Sequence, residues 1–416
     1  VTLNRRRFLT RSAAVLGSGG LAAAGARELA GEPGSARAEM APSTLEDRVP
    51  FDGLHQSGVV TRGGGEATFA ALDAIAPDRA ALIQGLRTLS NRARQLAGGT
   101  TMGPQEADEP PADSGTLGTT IAPDALTVTI GFGASLFDHR YGLTGRRPAR
   151  LRAMPAFPDD DIDPAQSHGD LLLQVTANRR DTVVHTVREL LRPARGAFAL
   201  RWSIDGFQST DRGPAPNSSR RNLFGFRDGT GNPEVTDDAL MRRLVWIGSG
   251  AGEPAWATDG TYQVVRIIRM HVEFWDRVGL REQETMIGRR RDTGAPLGGT
   301  GEYDDPRLDL DPKGDRIPLD AHMRLANPRT QRTADQRILR RGFNYSRGFD
   351  AAGQLDQGLV FVAFNQDIER QFAKVQARLA GEPMTDYITP VGGGYFFVPR
   401  GAAGPGDFVG SGAFAA

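Results

Sequence analysis

The 416-residue chain contains no cysteine. That absence removes disulfides, thiolate metal ligands, iron–sulfur clusters and a cysteine nucleophile in one step. Histidine is nearly as scarce, with six residues at positions 55, 139, 168, 185, 271 and 322. Any metal must therefore rest on a short list of imidazoles, on carboxylates or on a bound cofactor. A surplus of either charge is also missing. Lys+Arg and Asp+Glu both number 50, so no basic excess argues for nucleic acid and no basic helix argues for a membrane surface. What is present, 39% hydrophobic and 24% charged residues, is ordinary for a globular protein. The length allows more than one domain, or one fused double domain.

Near the start, Asn4-Arg5-Arg6-Arg7-Phe8-Leu9 sets paired arginines directly before an aromatic and a leucine. A mildly apolar run rich in Gly and Ala follows from Ala13 to Ala26, too short and weak to span a bilayer permanently. Small-x-small sites come next at Ala24-Gly25-Ala26 and Ala36-Arg37-Ala38. The pattern predicts a twin-arginine export signal over residues 1–38, cut after Ala26 or Ala38, and a periplasmic or extracellular destination. A disordered basic terminus is the plainer alternative. Residues 1–38 hold six arginines and two glutamates, so the mature chain would carry 44 basic and 48 acidic side chains, net −4. The twin-arginine route carries folded proteins, often with a cofactor already installed, which suits a chain that has no cysteine.

After an irregular leader (39–52), strand-like and helical patterns alternate. Ser57 to Thr61 reads as a short strand, and Glu66 to Ile75 as extended or turn structure. Leu82, Leu86, Leu89 and Leu96 recur at helical spacing within Asp78–Leu96. Gly98–Gly118 reads as loop, and Leu126–Phe132 and Asp170–Thr176 as strands. Asp181 is the expected N-cap of a helix bearing Val184, Val187, Leu190 and Leu191, and Ala197–Phe207 follows as a strand. The second half repeats the rhythm, with strands at Tyr262–Val272 and Leu359–Asn365 and helices at Asp276–Gly288 and Asp367–Leu379. Each half is near β-α-β-β-α-β in order, although no sequence identity links the halves. The expected architecture is α+β: two ferredoxin-like units (53–207 and 225–402) side by side, joined through a Gly/Pro/Ser/Asn/Arg-rich stretch at 208–224, with a tail at 403–416. Residues 289–320 form a long insertion rich in Gly, Asp and Pro, of the kind that usually wraps a site.

Three segments concentrate chemistry-bearing residues. Phe224-Gly225-Phe226-Arg227-Asp228-Gly229-Thr230-Gly231-Asn232-Pro233, read alone, is a tight turn region; it lacks the Gly-Lys-Ser/Thr of a phosphate loop. Ala321-His322-Met323-Arg324-Leu325-Ala326-Asn327-Pro328-Arg329 carries one histidine with no second nearby, which excludes a zinc site of the HExxH kind. A single axial histidine suits haem, because the porphyrin supplies the other four ligands; a hydrogen-bonded structural histidine is the alternative. Arg337-Ile338-Leu339-Arg340-Arg341-Gly342-Phe343-Asn344-Tyr345 holds paired arginines that either face solvent or hold an anion.

Together these segments closely resemble the dye-decolorising peroxidase family, whose hallmark Gly-x-x-Asp-Gly is matched by Gly225, Asp228 and Gly229. Gly53-Leu54-His55-Gln56-Ser57-Gly58, Ser167-His168-Gly169-Asp170-Leu171-Leu172-Leu173-Gln174 and Pro390-Val391-Gly392-Gly393-Gly394-Tyr395-Phe396-Phe397 also look like family segments. The resemblance covers roughly residues 51–400 in consistent order and is closest to the exported deferrochelatase/peroxidase branch. It implies a dimeric α/β-barrel type of fold with antiparallel sheets, and one haem b per chain. It implies reduction of hydrogen peroxide through an oxyferryl intermediate, at the expense of dyes, phenols or porphyrin-type donors. Residue by residue, it makes His322 the proximal ligand of the haem iron, Asp228 the distal acid–base and Arg340 the distal arginine, with Arg341 the alternative if the register slips by one. Asn232 matches a distal-pocket Asn, and Leu359 and Phe361 match apolar lining. Arg324, Arg329 and Arg227 are the nearest cations for the haem propionates. Asp367 is a candidate acceptor for the second nitrogen of His322, with the N-cap of the 367–379 helix as its plainer role.

The chemistry is coherent. Peroxide heterolysis needs a proton carried from the inner to the outer oxygen, work for a carboxylate. It also needs fixed donors toward the developing negative charge, work for a guanidinium. A neighbouring guanidinium favours the ionised carboxylate. Bulky reductants would have to give up electrons through aromatics near the surface, for which Trp246, Trp256, Trp275, Tyr345, Tyr387 and Tyr395 are available. An alternative keeps the haem but makes the protein an iron handler that releases iron from haem beside iron-uptake proteins. A haem-free binding module on the same double fold is a third reading. All three leave room for a homo-oligomer, and none involves nucleic acid or a membrane span in the mature form.

Overall fold

A computed structural model describes residues 44–61, 64–103, 106–209 and 219–415. The expected export signal lies outside the described residues, as does most of the 208–224 join. No helix among the described residues is long and apolar enough to cross a membrane.

In chain order the elements are β1 (Glu66–Ala74), α1 (Arg79–Ala97), a minor pair β2 (Thr100–Thr101) and β3 (Thr120–Ile121), β4 (Thr127–Gly133), β5 (Leu171–Ala177), α2 (Arg180–Ala194) and β6 (Phe198–Phe207). Then follow α3 (Asp238–Leu244), β7 (Thr261–Met270), α4 (Val272–Trp275), α5 (Leu280–Ile287), α6 (His322–Ala326), β8 (Leu339–Arg340), β9 (Phe343–Phe349), β10 (Leu355–Asn365), α7 (Lys374–Leu379), β11 (Ile388–Val398) and α8 (Ser411–Phe414). The main sheet runs β7-β11-β4-β5-β1-β6-β9-β10-β8, and β7 also pairs with β10. That extra pairing closes eight strands into an antiparallel barrel, with β8 beside β10. Within it, β4-β5-β1-β6 and β9-β10-β7-β11 have the same permuted order, and each follows a strand–helix–strand–strand–helix–strand path. These are two ferredoxin-like units, so the expected α+β architecture is the observed one. They meet where β11 pairs with β4 and where β6 touches β9 at Phe207 and Asn344.

Side-chain alternation along the strands sorts the core into layers. Phe69, Ala71, Leu172, Trp202, Ile204, Val265, Ile267, Val360, Val362 and Phe364 from both halves fill the barrel interior. On the outer face of the N-terminal half, Ala70, Leu72, Leu171 and Leu173 pack against Leu82, Leu86 and Leu89 of α1 and Val183 and Leu190 of α2. Asp78 caps α1, accepting from the Ala81 amide at 2.8 Å, worth about 1 kcal/mol.

Four local expectations are corrected. Ser57–Thr61 is a turn, not a strand; Thr129 donates to the Ser57 carbonyl there and Gln56 takes the ladder position at Ile130. Asp181 lies in the first turn of α2, and Arg179 precedes the helix without a side-chain cap. The helix expected over Asp276–Gly288 is α4 and α5 separated by a turn, and the one over Asp367–Leu379 opens as a π-helical turn at Glu369–Ala373. Strands β9 and β11 were not foreseen, because Arg347, Gly348 and the Pro390–Gly394 run carry weak strand signals.

Candidate functional site

The outer face of the C-terminal half is not filled by helices. Arg266, Ile268 and Met270 of β7, Leu359 and Phe361 of β10, and Ile388 and Pro390 of β11 instead form the floor of a cavity. It has about 1710 Å³ of atom-free space, part of it continuous with solvent, room for a large cofactor. Helices α6 and α7, the 226–231 loop and Arg289 at the start of the 289–320 insertion help complete its wall.

His322 begins α6 and lines this cavity. Asn327-Pro328 ends that helix after five residues, and Arg378 of α7 donates to the Leu325 and Ala326 carbonyls at 2.8 and 3.2 Å, which fixes the two helices together. Beyond α7 the chain reverses at Gly381, whose φ of +72° suits glycine, and delivers Glu382. Both Glu382 carboxylate oxygens lie 2.9 Å from His322 Nδ1. Burial pushes the imidazole pKa down, but the charge and hydrogen bond of Glu382 outweigh it, and the net direction is up. The acceptor is therefore Glu382, not Asp367. Asp367 accepts from the Arg370 amide as a helix cap and pairs with Arg150 at 2.7 Å. Glu382 had no signal in the sequence, since it stands 60 residues from its partner in an unremarkable Gly-Glu-Pro turn.

Asp228 is delivered by a tight loop. Asn222 Oδ1 accepts from the Phe224 and Phe226 amides at 3.1 and 3.2 Å, Arg221 and Arg227 form a bridge, and Gly225 turns the chain at φ +84°. A Cβ at Gly225 would also lie 2.8 Å from Arg291 Nε. Arg340 Nη1 donates to Asp228 Oδ1 at 2.8 Å, and Oδ2 has no hydrogen-bond partner among the described residues. Asn232 does not line the cavity. Its side chain exchanges two hydrogen bonds with the Arg340 backbone, at 2.8 and 3.0 Å, and so holds β8 in register. Strand alternation sends Arg341 the other way: its Nε donates to the Val59 carbonyl, and burial pushes it down to about 10. Of the two arginines, Arg340 is the one that faces Asp228 and the cavity.

The cavity is rich in arginine. Arg227, Arg289, Arg329 and Arg337 line it with Arg340. Burial, then the Arg329 and Arg340 charges, push Arg289 down to about 10. Burial, Arg329 and Arg243 push Arg337 down, and its buried Nε has no hydrogen-bond partner among the described residues. Arg329 adopts φ +55° and its ion-pair partner Asp305 is 3.8 Å away. Arg227 pairs with Glu302 at 3.9 Å, but Arg289 and Arg337 have no ion-pair partner among the described residues, and buried guanidiniums of that kind are a receptor for an anion. Arg324 is not among them, because it is spent on Asp311 and the Ile317 carbonyl. Arg289 and Arg337 were missed in the sequence; nothing local separates them from solvated arginines.

A braced imidazole, apolar walls and an arginine cluster for two carboxylates fit a haem. Comparison with known proteins agrees. Residues 56–208 match the family model described as Dyp-type peroxidase, N-terminal, and residues 219–403 match Dyp-type peroxidase, C-terminal. The chain is 43% identical over 407 residues to a deferrochelatase of Yersinia pestis, covering 97% of this chain and 93% of the relative. It is 42% identical over 410 residues to that of Escherichia coli K12, covering 98% and 96%. Among solved structures, a DyP-type peroxidase from Cellulomonas bogoriensis superposes with a TM-score of 0.79 at 37% identity, covering 89% of this chain and 99% of that one. Ferric DtpA from Streptomyces lividans gives 0.79 at 34%, again covering 89% and 99%. The chain belongs to the Dyp-type peroxidase family and is a haem-dependent peroxidase.

Proposed function

We propose that His322 holds the iron of one haem b per chain through Nε2, with Glu382 on Nδ1, and that Asp228 and Arg340 act on hydrogen peroxide across the same cavity. The observation that carries this reading is that the His322–Glu382 and Asp228–Arg340 pairs line one cavity with apolar walls. Bound haem supplies the iron on which peroxide is activated and the two oxidising equivalents later passed to donors. The residues do the rest. Glu382 accepts from Nδ1, fixing the tautomer that leaves Nε2 for the metal and making the imidazole a better electron donor. Asp228 Oδ2, free of other hydrogen bonds, takes the proton of the inner peroxide oxygen and returns it to the outer one. Arg340, anchored through its backbone by Asn232, directs Nη donors at the charge that develops there. Leu359 and Phe361 keep the floor dry. Arg227 and Arg329, joined by Arg289 and Arg337, receive the propionates.

An optical spectrum before and after one equivalent of peroxide tests the reading. A Soret band that responds to peroxide, and disappears in His322→Ala, is expected; an unchanged band in that variant would mean the ligand is elsewhere.

The twin-arginine pattern supports export to the periplasm or beyond, checked by following residues 1–38 fused to a reporter with the paired arginines intact or changed to lysine. A second reading, release of iron from haem beside iron-uptake proteins, is favoured by the name its relatives carry and by the Asp159 carboxylate on the cavity wall. Recovery of intact metal-free porphyrin without peroxide would select it.

A further inference from the structure

We propose that Glu302, on the 289–320 insertion, is a positioning residue for Asp228: its carboxylate staples the open end of the hairpin on which Asp228 stands. The proposal rests on Asp228 acting on peroxide, a reading that Asp228→Asn tests alone.

The loop that carries Asp228 is a small hairpin. Its tip is closed from within. Asn222 Oδ1 accepts from the Phe224 and Phe226 amides, and the Asn222 amide donates to the Phe226 carbonyl at 2.9 Å. The arms pair at Arg221 and Arg227, and the Asp228 amide donates to the Arg220 carbonyl at 2.7 Å. Beyond that bond the arms run out to Ser219 and Thr230. No backbone hydrogen bond among the described residues joins those two ends. Glu302 joins them instead. Its Oε1 accepts from the Ser219 amide at 3.1 Å and from the Thr230 hydroxyl at 2.9 Å, and its Oε2 accepts from the same amide at 3.3 Å. Asp228 therefore lies between a tip held by Asn222 and an end held by Glu302.

The staple is itself fixed. The Glu302 side chain is 7% exposed, and a charge so buried needs a partner. Arg227, next to Asp228 in the chain, brings Nε to 3.9 Å from Oε2 and donates through Nη1 to the Ser219 carbonyl at 2.8 Å. The Glu302 carbonyl accepts from Arg289 Nη1 at 2.9 Å, and the same nitrogen donates to the Gly294 carbonyl at 2.7 Å. Gly294 stands at φ +77°, and a Cβ there would come 2.7 Å from Arg227 Cγ and 3.1 Å from Glu302 Cγ. The insertion thus presses its backbone against the hairpin and delivers the carboxylate at the unpaired end.

This matters for the chemistry because Arg340 holds only Oδ1 of Asp228. The direction of Oδ2, the oxygen that must meet the peroxide proton, is set by the hairpin backbone. Hydrogen bonds to an ionised acceptor are roughly twice as strong as neutral ones, and donors drawn from both arms resist splaying. A misplacement of about 1 Å at a reacting group costs about 100-fold in rate.

The experiment compares Glu302→Ala, Glu302→Gln and Thr230→Val in the full chain. Before haem is added, amide hydrogen exchange reads the hairpin directly. In Glu302→Ala the Ser219 and Asp228 amides should exchange faster by about tenfold or more, with the α1 amides unchanged. After haem loading, Glu302→Ala should slow the reaction with peroxide by about 10- to 100-fold in stopped-flow. Hydrogen cyanide, which gives up its proton on binding, should slow with it. Carbon monoxide, which brings no proton, should bind the reduced protein at the wild-type rate. Glu302→Gln keeps the acceptor oxygen and should recover most of the loss. Thr230→Val keeps the carboxylate and should show a smaller loss of the same kind. Added to Asp228→Asn, Glu302→Ala should bring no further loss, because both act through one side chain. A wild-type peroxide rate in Glu302→Ala, or in Thr230→Val should the first variant fail to fold, would overturn the proposal. So would losses that multiply in the double variant, or equal slowing of carbon monoxide, which would mark Glu302 as structural. A wild-type rate in Asp228→Asn would instead overturn the reading beneath it.

Discussion

The two halves of the barrel have the same strand order and opposite uses. In the N-terminal half, a 19-residue α1 and a 15-residue α2 lie across the outer sheet face, and Leu82, Leu86, Leu89 and Leu190 fill the space completely. In the C-terminal half the corresponding helices are short or irregular: α4 has four residues, α5 eight, and α7 follows a π-helical turn. They leave the face of β7, β10 and β11 uncovered, and arginines and one braced histidine ring the gap. The fold is duplicated; the site exists because one copy was not packed shut.

The contrast can be broken by substitution. The largest effect is expected from His322→Ala, which removes the proposed iron ligand. Haem affinity should fall by more than the roughly 100-fold that loss of a supporting residue brings, read from Soret titration. Next, Arg340→Leu should keep haem and slow the reaction with peroxide by about 100- to 1,000-fold in stopped-flow, whereas Arg341→Leu, facing away, should leave that rate near wild type. Glu382→Gln removes the charge on Nδ1, so the iron reduction potential should rise and peroxide reactivity fall by about 10- to 100-fold, measured by redox titration. A potential equal to wild type would detach Glu382 from the metal centre.

Smaller effects separate the filled half from the open one. Leu86→Ala should cost about 2–5 kcal/mol in denaturant unfolding, and Leu359→Ala, half-buried on the cavity floor, about 1 kcal/mol. Equal costs would contradict the contrast. The filled half should also respond to pH. Burial lowers the His185 pKa; Asp113 and Glu189 oppose this, and Arg92 and Arg188 add to it. A histidine whose folded pKa is depressed binds fewer protons folded than unfolded. Its contribution is therefore full above the unfolded value of about 6.5 and lost as pH falls toward the folded one. Stability should drop modestly between pH 7 and 5, and His185→Gln should flatten that slope.

Much of this was legible without coordinates. The leucine spacing of α1, the apolar runs of β4, β5 and β10, and the repeated order of elements are local or periodic signals, and they gave the double ferredoxin-like architecture. The Gly225–Asn232 loop, the lone His322 and the Arg340 step stood out because unusual residue types were concentrated in short spans. Glu382, Arg289 and Arg337 did not; Arg324 stood near His322 in sequence but is spent on Asp311, and Asp367 serves in the plainer of its two expected roles, as a helix cap.

Sequence alone determined which elements form, because hydrophobic period, caps and turn residues act over a few positions. It also determined the chemical vocabulary, six histidines and no thiol, from which a haem ligand had to come. Barrel closure by β7 and β10, the choice of Glu382 for His322, and the outward turn of Arg340 against the inward turn of Arg341 were decided only in the tertiary structure. Each depends on strand register and on chain segments far apart in sequence, and a side chain's partner across such a gap is set by where the backbones are anchored.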